Sequence, residues 1–386
     1  MSVCTQVLVD ALKTVKDPEL DNDLISLQMV KDLACSEKGE VSLTVVLTTP
    51  ACPLKEQIES DVRRALMRVR GVKKVTVTMT AETSDGTVPA ECSGGAEASG
   101  KNPMHPTPAG PGAEKVRNII GVSSGKGGVG KSTVAVNLAC ALAKLGARVG
   151  LLDADFHGPN IPIMLGLGGV IPEITQGKQA NGEPIDMIVP VERDGVKVVS
   201  ISFFIKEDEP VIWRGPMLHS ALNQFMHQVD WGELDYLVVD MPPGTGDIQI
   251  SLIQTARLTG VIHVTTPQSV SVLDVAKGVA LFKSQGIAQL GVIENMSYFI
   301  SPATHEKTFI FGQGGGRQLA EKFGIPFLGE IPLEVDIRVG GDTGNPVVLA
   351  SPDSAAGQAF ISIAKCMAAA ISVANVSRRG GSCEHD

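Results

Sequence analysis

The sequence predicts an α/β protein: a mostly parallel sheet covered by helices on both faces, preceded by a small α/β unit on a flexible linker. Three observations lead there. Between residues 115 and 378, short β-branched apolar runs alternate with helical stretches, the pattern of repeated strand–helix–strand units. Several of those runs are apolar without interruption, as strands buried on both faces are. Residues 83–114 are rich in Gly, Pro, Ala and Ser, with almost no large apolar side chain. Such a segment cannot bury enough surface to offset its ordering entropy, so it reads as a linker between two folded parts.

The chain has 386 residues, enough for more than one domain, and its 43% hydrophobic content can fill their cores. In the first unit, residues 1–82, an amphipathic stretch at 7–15 is followed by the strand "EVSLTVVLTT" (40–49). Helical periodicity then runs over 54–70, and a second strand, "KKVTVTMT", covers 73–80. In the second unit, residues 115–378, strands are expected at "NIIGVSS", "RVGLLDAD", "VKVVSISF", "DYLVVDMP", "GVIHVTT", "LGVIENM" and "PFLGEIP". Strand after strand ends in Gly, Asp or Pro, so loops at the carboxyl edge would form a ligand crevice. The apolar stretch 355–376 is interrupted by Gly357, Gln358, Lys365 and several serines, which suits a partly buried helix better than a membrane span. The last residues, 379–386, read as a disordered tail.

Bulk properties narrow the function. A net charge of −9 argues against a protein whose main work is gripping nucleic acid. Two Trp and two Tyr leave few platforms for stacking bases. The N-terminus has no basic head followed by an apolar core, so no signal peptide is expected and a cytoplasmic location is. The seven cysteines (4, 35, 52, 92, 140, 366, 383) form no C-x-x-C pair and read as reduced thiols.

The chemistry concentrates in "GVSSGKGGVGKST", residues 121–133. Gly125, Gly127 and Gly130 spell G-x-G-x-x-G, a dinucleotide signature, while Gly125 to Ser132 also spell G-x-x-x-x-G-K-S, a triphosphate signature. Lys131 and Ser132 stand where a helix would begin. A lysine there reaches β- and γ-phosphates and a hydroxyl ligates magnesium, neither of which a dinucleotide site needs. The apolar strand "YLVVDMPPG" ends in Asp240, where a carboxylate can hold the magnesium shell. "DADFHGPN" (153–160) supplies two more carboxylates, one more than a ribose contact requires. The loop is therefore read as a P-loop. Its second lysine, Lys126, would be useful if two protomers faced each other and each reached the partner's nucleotide, as an arginine finger does in trans; otherwise it is a solvated loop lysine.

"KGGVGKST" together with "DADFHGPN", "DMPPGTGD" and "ENMSYF" resembles the deviant-Walker ATPases of the MinD/ParA group, and most of all the Mrp/ApbC branch of iron–sulfur cluster carriers. The resemblance covers essentially all of residues 115–375. "KDPEL" (16–20) and "TTPACPL" (48–54) resemble the small domain that precedes many such ATPases and also occurs alone in cluster-assembly proteins. The resemblance implies that Gly125, Lys126, Gly127, Gly128, Val129, Gly130, Lys131, Ser132 and Thr133 bind ATP. Lys131 would sit on the β/γ oxygens, and Ser132 and Asp240 on Mg2+. Lys126 would act across a homodimer, Asp155 with Asp153 nearby would position the attacking water, and Asn295 would recognise the adenine. Implied partners are iron–sulfur scaffolds and recipient apo-proteins; the net charge of −9 and a tail without a basic amphipathic helix or basic patch lead to no expected nucleic acid or membrane partner.

The sequence departs from that branch at one place. Where the branch carries a C-x-x-C that holds a cluster between protomers, this chain has Ser301, Pro302, Ala303 and Thr304. Hydroxyls are far weaker ligands than thiolates for soft iron–sulfur cores. Cys52 is the best remaining candidate, because it follows a strand and would open a helix whose N-terminus lowers a thiol pKa; the alternative is a small buried residue. Cys383 with His385 reads as a chance pair on the tail, and Cys140 and Cys366 read as core. His157 is a loop histidine or a phosphate contact, and Arg214 beside Trp213 is a structural or dimer contact. Two rival functions stay open: a MinD/ParA-like positioning ATPase, and an ATP-driven metal or cofactor chaperone that holds no cluster itself. A positioning ATPase would show a basic amphipathic C-terminal helix or a DNA-binding basic patch, and neither is visible.

Overall fold

The computed structural model describes residues 5–17, 22–36, 38–47, 54–81, 112–178, 183–205 and 215–380. Cys4, Cys52, Cys92, Trp213, Arg214, Cys383, His385 and most of the expected linker lie outside the described residues.

The N-terminal part runs α1 (Thr5–Leu12), β1 (Lys16–Asp17), β2 (Asn22–Asp23), β3 (Val30–Cys35), β4 (Glu40–Leu47), α2 (Lys55–Met67) and β5 (Lys74–Ala81). Strand β4 pairs antiparallel with β3 and parallel with β5. The alternation of "EVSLTVVL" puts Val41, Leu43, Val45 and Leu47 on one buried face. Ile58, Val62 and Leu66, spaced four apart on α2, cover that face together with Leu8 and Leu12 of α1. Strand β3 has no counterpart among the expected strands. Its sequence, "VKDLAC", is interrupted by two charges, and its register slips between Lys31 and Ala34 where Asp32 takes a φ of 54°.

The second part runs β6 (Val116–Ser124), α3 (Lys131–Lys144), β7 (Val149–Asp153), α4 (Ile161–Met164), β8 (Ile174–Lys178), β9 (Pro184–Ile188), β10 (Val191–Arg193), β11 (Val196–Ser200), α5 (Gly215–His227), β12 (Leu234–Asp240) and α6 (Asp247–Thr255). It continues with β13 (Leu258–Thr265), α7 (Ser269–Ser284), β14 (Gln289–Glu294), β15 (Phe299–Ile300), β16 (Lys307–Thr308), α8 (Gly315–Phe323), β17 (Phe327–Glu330), α9 (Val335–Thr343), α10 (Val347–Ala350) and α11 (Ala355–Gly380). Eight strands form one sheet in the order β10-β11-β7-β12-β6-β13-β14-β17, parallel except for the edge strand β10. Each expected strand of this part is present; the five-residue strands β8 and β9, and the shorter β10, β15 and β16, are additional to those expected.

Strand β12 is buried at every residue and β6 at all but its first two. One core lies under α3, α10 and α11, with Leu138, Leu142, Phe360, Ile363 and Met367 against Ile120, Val122 and Val238. The opposite face is closed by α5, with Leu222, Phe225 and Met226 against Leu237 and Val239, and Trp231 fixed by its indole N–H to the Phe225 carbonyl at 3.2 Å. Helix α11 is long and apolar enough to cross a membrane, yet Phe360, Ala364, Met367, Ala368 and Ile371 are buried in the core of this domain.

Three details correct the sequence reading. Cys366 is exposed on α11, not core, because the buried stripe of that helix runs through Ile363, Ala364 and Met367. Helix α11 continues to Gly380, into the stretch read as a disordered tail. Ala113, which composition assigns to the linker, is buried in the second core.

His263 lies inside the sheet on β13, 1% exposed, its Nε2 within 2.7 Å of Gln289 Oε1 and its ring against Phe282. Burial holds the imidazole neutral down to about pH 4, whereas in the unfolded chain it takes up a proton near pH 6.5. Between those values the unfolded state binds more protons, so this group's contribution is intact above pH 6.5 and is lost as pH falls. We predict that the unfolding free energy of the wild type, measured against a His263→Gln variant, declines by up to about 1.4 kcal/mol per pH unit over that window. Parallel urea titrations from pH 7 to 4.5 check it; a difference that does not change with pH refutes it.

Candidate functional site

The loop between β6 and α3 wraps the carboxyl edge of the sheet at its centre, where neighbouring connections run to opposite sides. Its glycines do different work. Gly130 caps α3 at φ 82°, in the left-handed region, and a side chain there would strike the Asn295 amide. A Cβ on Gly125 would strike the backbone of Asp274 and Val275 on α7. At Gly127 nothing stands within 4 Å, so that position is open to a ligand and not to packing. Ser124 Oγ donates to the Lys126 carbonyl at 3.1 Å and shapes the loop from inside, leaving the Lys126 side chain half-buried. The N-terminus of α3 therefore presents unpaired backbone N–H groups beside exposed glycines, an arrangement suited to phosphate.

Three carboxylates converge on the first turn of that helix. Parallel pairing sets Asp153, the last residue of β7, beside Asp240, the last of β12, and both are fully buried. Lys131 Nζ lies 2.7 Å from Asp240 Oδ1 and 3.4 Å from Asp155 Oδ2. Ser132 Oγ donates to Asp240 Oδ2 at 2.5 Å. Burial pushes the Asp240 carboxyl up, against the pull of Lys131 and Ser132. Asp153 is pushed up to about 8 by burial first and by the Asp240 charge second. Its carboxyl is nevertheless held by three donors: Ser200 Oγ at 3.0 Å, the Asp155 amide at 3.2 Å and the Ile161 amide at 3.3 Å.

The oxygens of Ser132 and Asp240 stand side by side, hard donors of the kind magnesium takes, so the residues present fit that ion. Lys131, Ser132, Asp153, Asp155 and Asp240 are thus brought together, and Thr133 lies on the next residue of α3.

Next to this cluster is a cavity of about 350 Å³ lined by Gly130, Thr133, Asn160, Met164, Asn295 and Leu333, among others. Asn295 is 5% exposed and donates its Nδ2 to the Val129 carbonyl at 2.8 Å, so its side chain is tied to the P-loop and borders the cavity together with Met296, whose φ is 54°. Glu294 braces that turn: Ser297 Oγ and the Gly316 amide each donate to its carboxylate at 2.6 Å. Ile163 and Met164 of α4 form one wall and Ile337 and Arg338 of α9 the other. His157 is not among these lining residues.

Sequence reasoning missed Ser200, the residue opposite Asp153 in the β7–β11 register. Its position at a strand end, one strand over from a buried carboxylate, is the only signal it leaves. It missed the cavity wall on α9 as well, which leaves no motif. Ser301 and Thr304 lie between the short strands β15 and β16, where the Thr304 amide donates to Ser301 Oγ at 3.3 Å. Among the described residues no group of three or more His, Cys, Asp or Glu could hold a metal ion, and the cysteines among them are Cys35, Cys140 and Cys366. Burial pushes the Cys140 thiol up to about 12, so it is inert.

The division of labour among the glycines is testable. Gly130→Ala forces a left-handed alanine and displaces the Asn295 hydrogen bond, so it should destabilise the protein by about 2–3 kcal/mol. Gly127→Ala should stay within about 0.5 kcal/mol of wild type in stability, as substitutions away from packed features do, while weakening nucleotide binding because it fills the open approach. Urea unfolding and nucleotide titration of both variants check this; equal stability losses would refute it.

Comparison with known proteins agrees with this geometry. The family described as ParA, NUBPL iron-transfer P-loop NTPase, matches residues 115–368, and the family described as iron-sulfur cluster assembly protein matches residues 5–79. The iron-sulfur cluster carrier protein of Synechocystis sp. is 47% identical over 96% of this chain and 98% of its own. That of Deinococcus radiodurans is 47% identical over 96% of each. Among solved structures, the nucleotide-binding protein of Archaeoglobus fulgidus in complex with ADP is 38% identical, with a TM-score of 0.52 over 60% of this chain and 88% of that one. With its P-loop, its paired strand-end aspartates and these matches, the chain belongs to the ParA/NUBPL family of iron-transfer P-loop NTPases.

Proposed function

We propose that this chain is an ATP-hydrolysing carrier or assembly protein for iron–sulfur clusters, working as a homodimer. The observation that carries the reading is the near-complete two-way coverage by proteins named iron-sulfur cluster carriers at 47% identity, together with a P-loop whose lysine and serine meet the strand-end aspartate.

In this reading ATP lies along the P-loop with its base in the cavity beside Asn295. Lys131 leaves Asp240 for the β/γ oxygens, exchanging one anionic partner for another. Ser132 and Asp240 would hold magnesium, which would supply charge neutralisation of the phosphates. Asp155, already in contact with Lys131, orients a water for attack on the γ-phosphorus; the bond to the β–γ bridging oxygen breaks, giving ADP, phosphate and a proton. Lys126 reaches the partner's nucleotide and stabilises the charge that develops there. ATP closes the dimer and hydrolysis reopens it. Cargo would engage Cys52 of the N-terminal part, with remaining ligands from the second protomer or a partner protein.

A second reading is favoured by a specific observation. Ser301 and Thr304 stand where the Mrp/ApbC resemblance places a C-x-x-C, so the chain could drive cluster assembly on other proteins while holding no cluster itself.

Two experiments decide between these. Iron and sulfide content and the visible spectrum are measured after anaerobic reconstitution of the intact chain and of Cys52→Ala. A wild-type cluster that disappears in the variant supports the carrier reading; no cluster in either protein, with ATP hydrolysis intact, supports the second. Independently, Asp240→Asn and Lys126→Ala should each lower kcat for ATP by about 100-fold or more, with Lys126→Ala also abolishing ATP-dependent dimers in sedimentation. Hydrolysis unchanged in both variants would overturn the assignment of these residues.

A further inference from the structure

The loop that follows Asp240 is strapped to the P-loop strand at two points: the Met241 amide donates to the Val122 carbonyl at 3.1 Å and the Gly244 amide to the Ser124 carbonyl at 2.9 Å. Gly244 makes the second strap with a φ of 88°. A third hold comes from underneath. Gln249, on the first turn of α6 and fully buried, donates its Nε2 to the Pro242 carbonyl at 2.9 Å. The requirement for a donor at that carbonyl fixes which way the amide points. The other half of the amide, Oε1, is buried and accepts no hydrogen bond from any described residue. Pro242 and Pro243 carry no N–H to offer it, whereas Thr245 and Gly246, with Pro243, are exposed. A buried acceptor left open is costly, and it stands directly under the segment that must respond when Lys131 is drawn off Asp240.

We propose that Gln249 is a positioning residue for hydrolysis. It anchors the Pro242 carbonyl, and its Oε1 takes the main-chain N–H of Thr245 or Gly246 when nucleotide fills the site, locking the loop in its hydrolytic arrangement. The inference rests on the ATP-hydrolysing reading above, and its test separates the two.

Gln249→Met keeps the volume and removes both hydrogen bonds. It should lower kcat for ATP about 10–100-fold, the effect of misplacing a reacting group by about 1 Å, with KM within about twofold and a cooperative thermal transition retained. Gln249→Glu retains the acceptor but, when ionised, cannot donate to the Pro242 carbonyl. Burial raises its pKa, so lowering the pH protonates it and restores donor and acceptor together. Its kcat should climb towards wild type from pH 8 to 6, while that of Gln249→Met stays low. A role in folding alone predicts no such pH-dependent rescue. A Gln249→Met variant with wild-type kcat, or a Gln249→Glu variant that does not recover, overturns the proposal.

If the wild type binds nucleotide without hydrolysing it, the hydrolytic reading fails, and amide hydrogen exchange over residues 241–249 still decides this one. A non-hydrolysable ATP analogue with magnesium should slow exchange there in wild type and not in Gln249→Met. Equal slowing in both proteins, or slowing in neither, overturns it.

Discussion

Parallel strand pairing places two carboxylates where neither would choose to be. Asp153 and Asp240 end adjacent strands in register, so their side chains leave the sheet on the same side and at the same height. Both are buried, and two charges removed from water are unfavourable by several kcal/mol, so Asp153 is driven toward its neutral form while the Asp240 carboxylate is answered by a cation. Lys131 is that cation. It is delivered by the first turn of α3, which starts at that point because Gly130 adopts a left-handed conformation the other residues resist. The site is thus held together in the absence of ligand by the same group that makes it attractive to a triphosphate.

The rest of the fold exists to keep those strand ends from moving. Strands β6, β12 and β7 are covered on both faces, and no charged side chain other than the site's own and Asp235 is buried along them. Asp235, at the opposite end of β12, is paired with Arg148 at 2.9 Å, and Asn118 ties β6 to α11 through Asn375 at the same distance. These polar contacts sit away from the phosphate edge, so the sheet is pinned at one end and chemically available at the other.

Much of this was legible in the sequence, for identifiable reasons. Continuous apolar runs specify a doubly covered parallel sheet, and several of its seven parallel strands carry one. The P-loop, Asp153, Asp155 and Asp240 were legible because a phosphate site needs particular side chains at particular strand ends. What escaped has equally physical causes. The antiparallel pair β8–β9 carries no continuous apolar run, its sequences being "ITQGK" and "PIDMI", and the strands β15 and β16 are two residues each, too short for a period to register. Strand β3 hides behind Lys31, Asp32 and a register slip. Ser200 and Gln249 act through neighbours distant in sequence or through a backbone carbonyl, and a lone polar residue on an otherwise apolar element announces nothing until the fold brings its partner close. Cys366 was misread because an Ala-rich helix gives little indication of which face is outward.

Helix α4 is only one turn long, Ile161 to Met164, and it is held at both ends by the site. Its first amide donates to Asp153, at the phosphate edge, while Ile163 and Met164 form a wall of the neighbouring cavity. So short a helix has almost no internal rigidity to spend on staying put; its orientation is set by what it touches. A molecule that filled the cavity and a charge that arrived at the carboxylates would therefore press on the same lever from opposite sides.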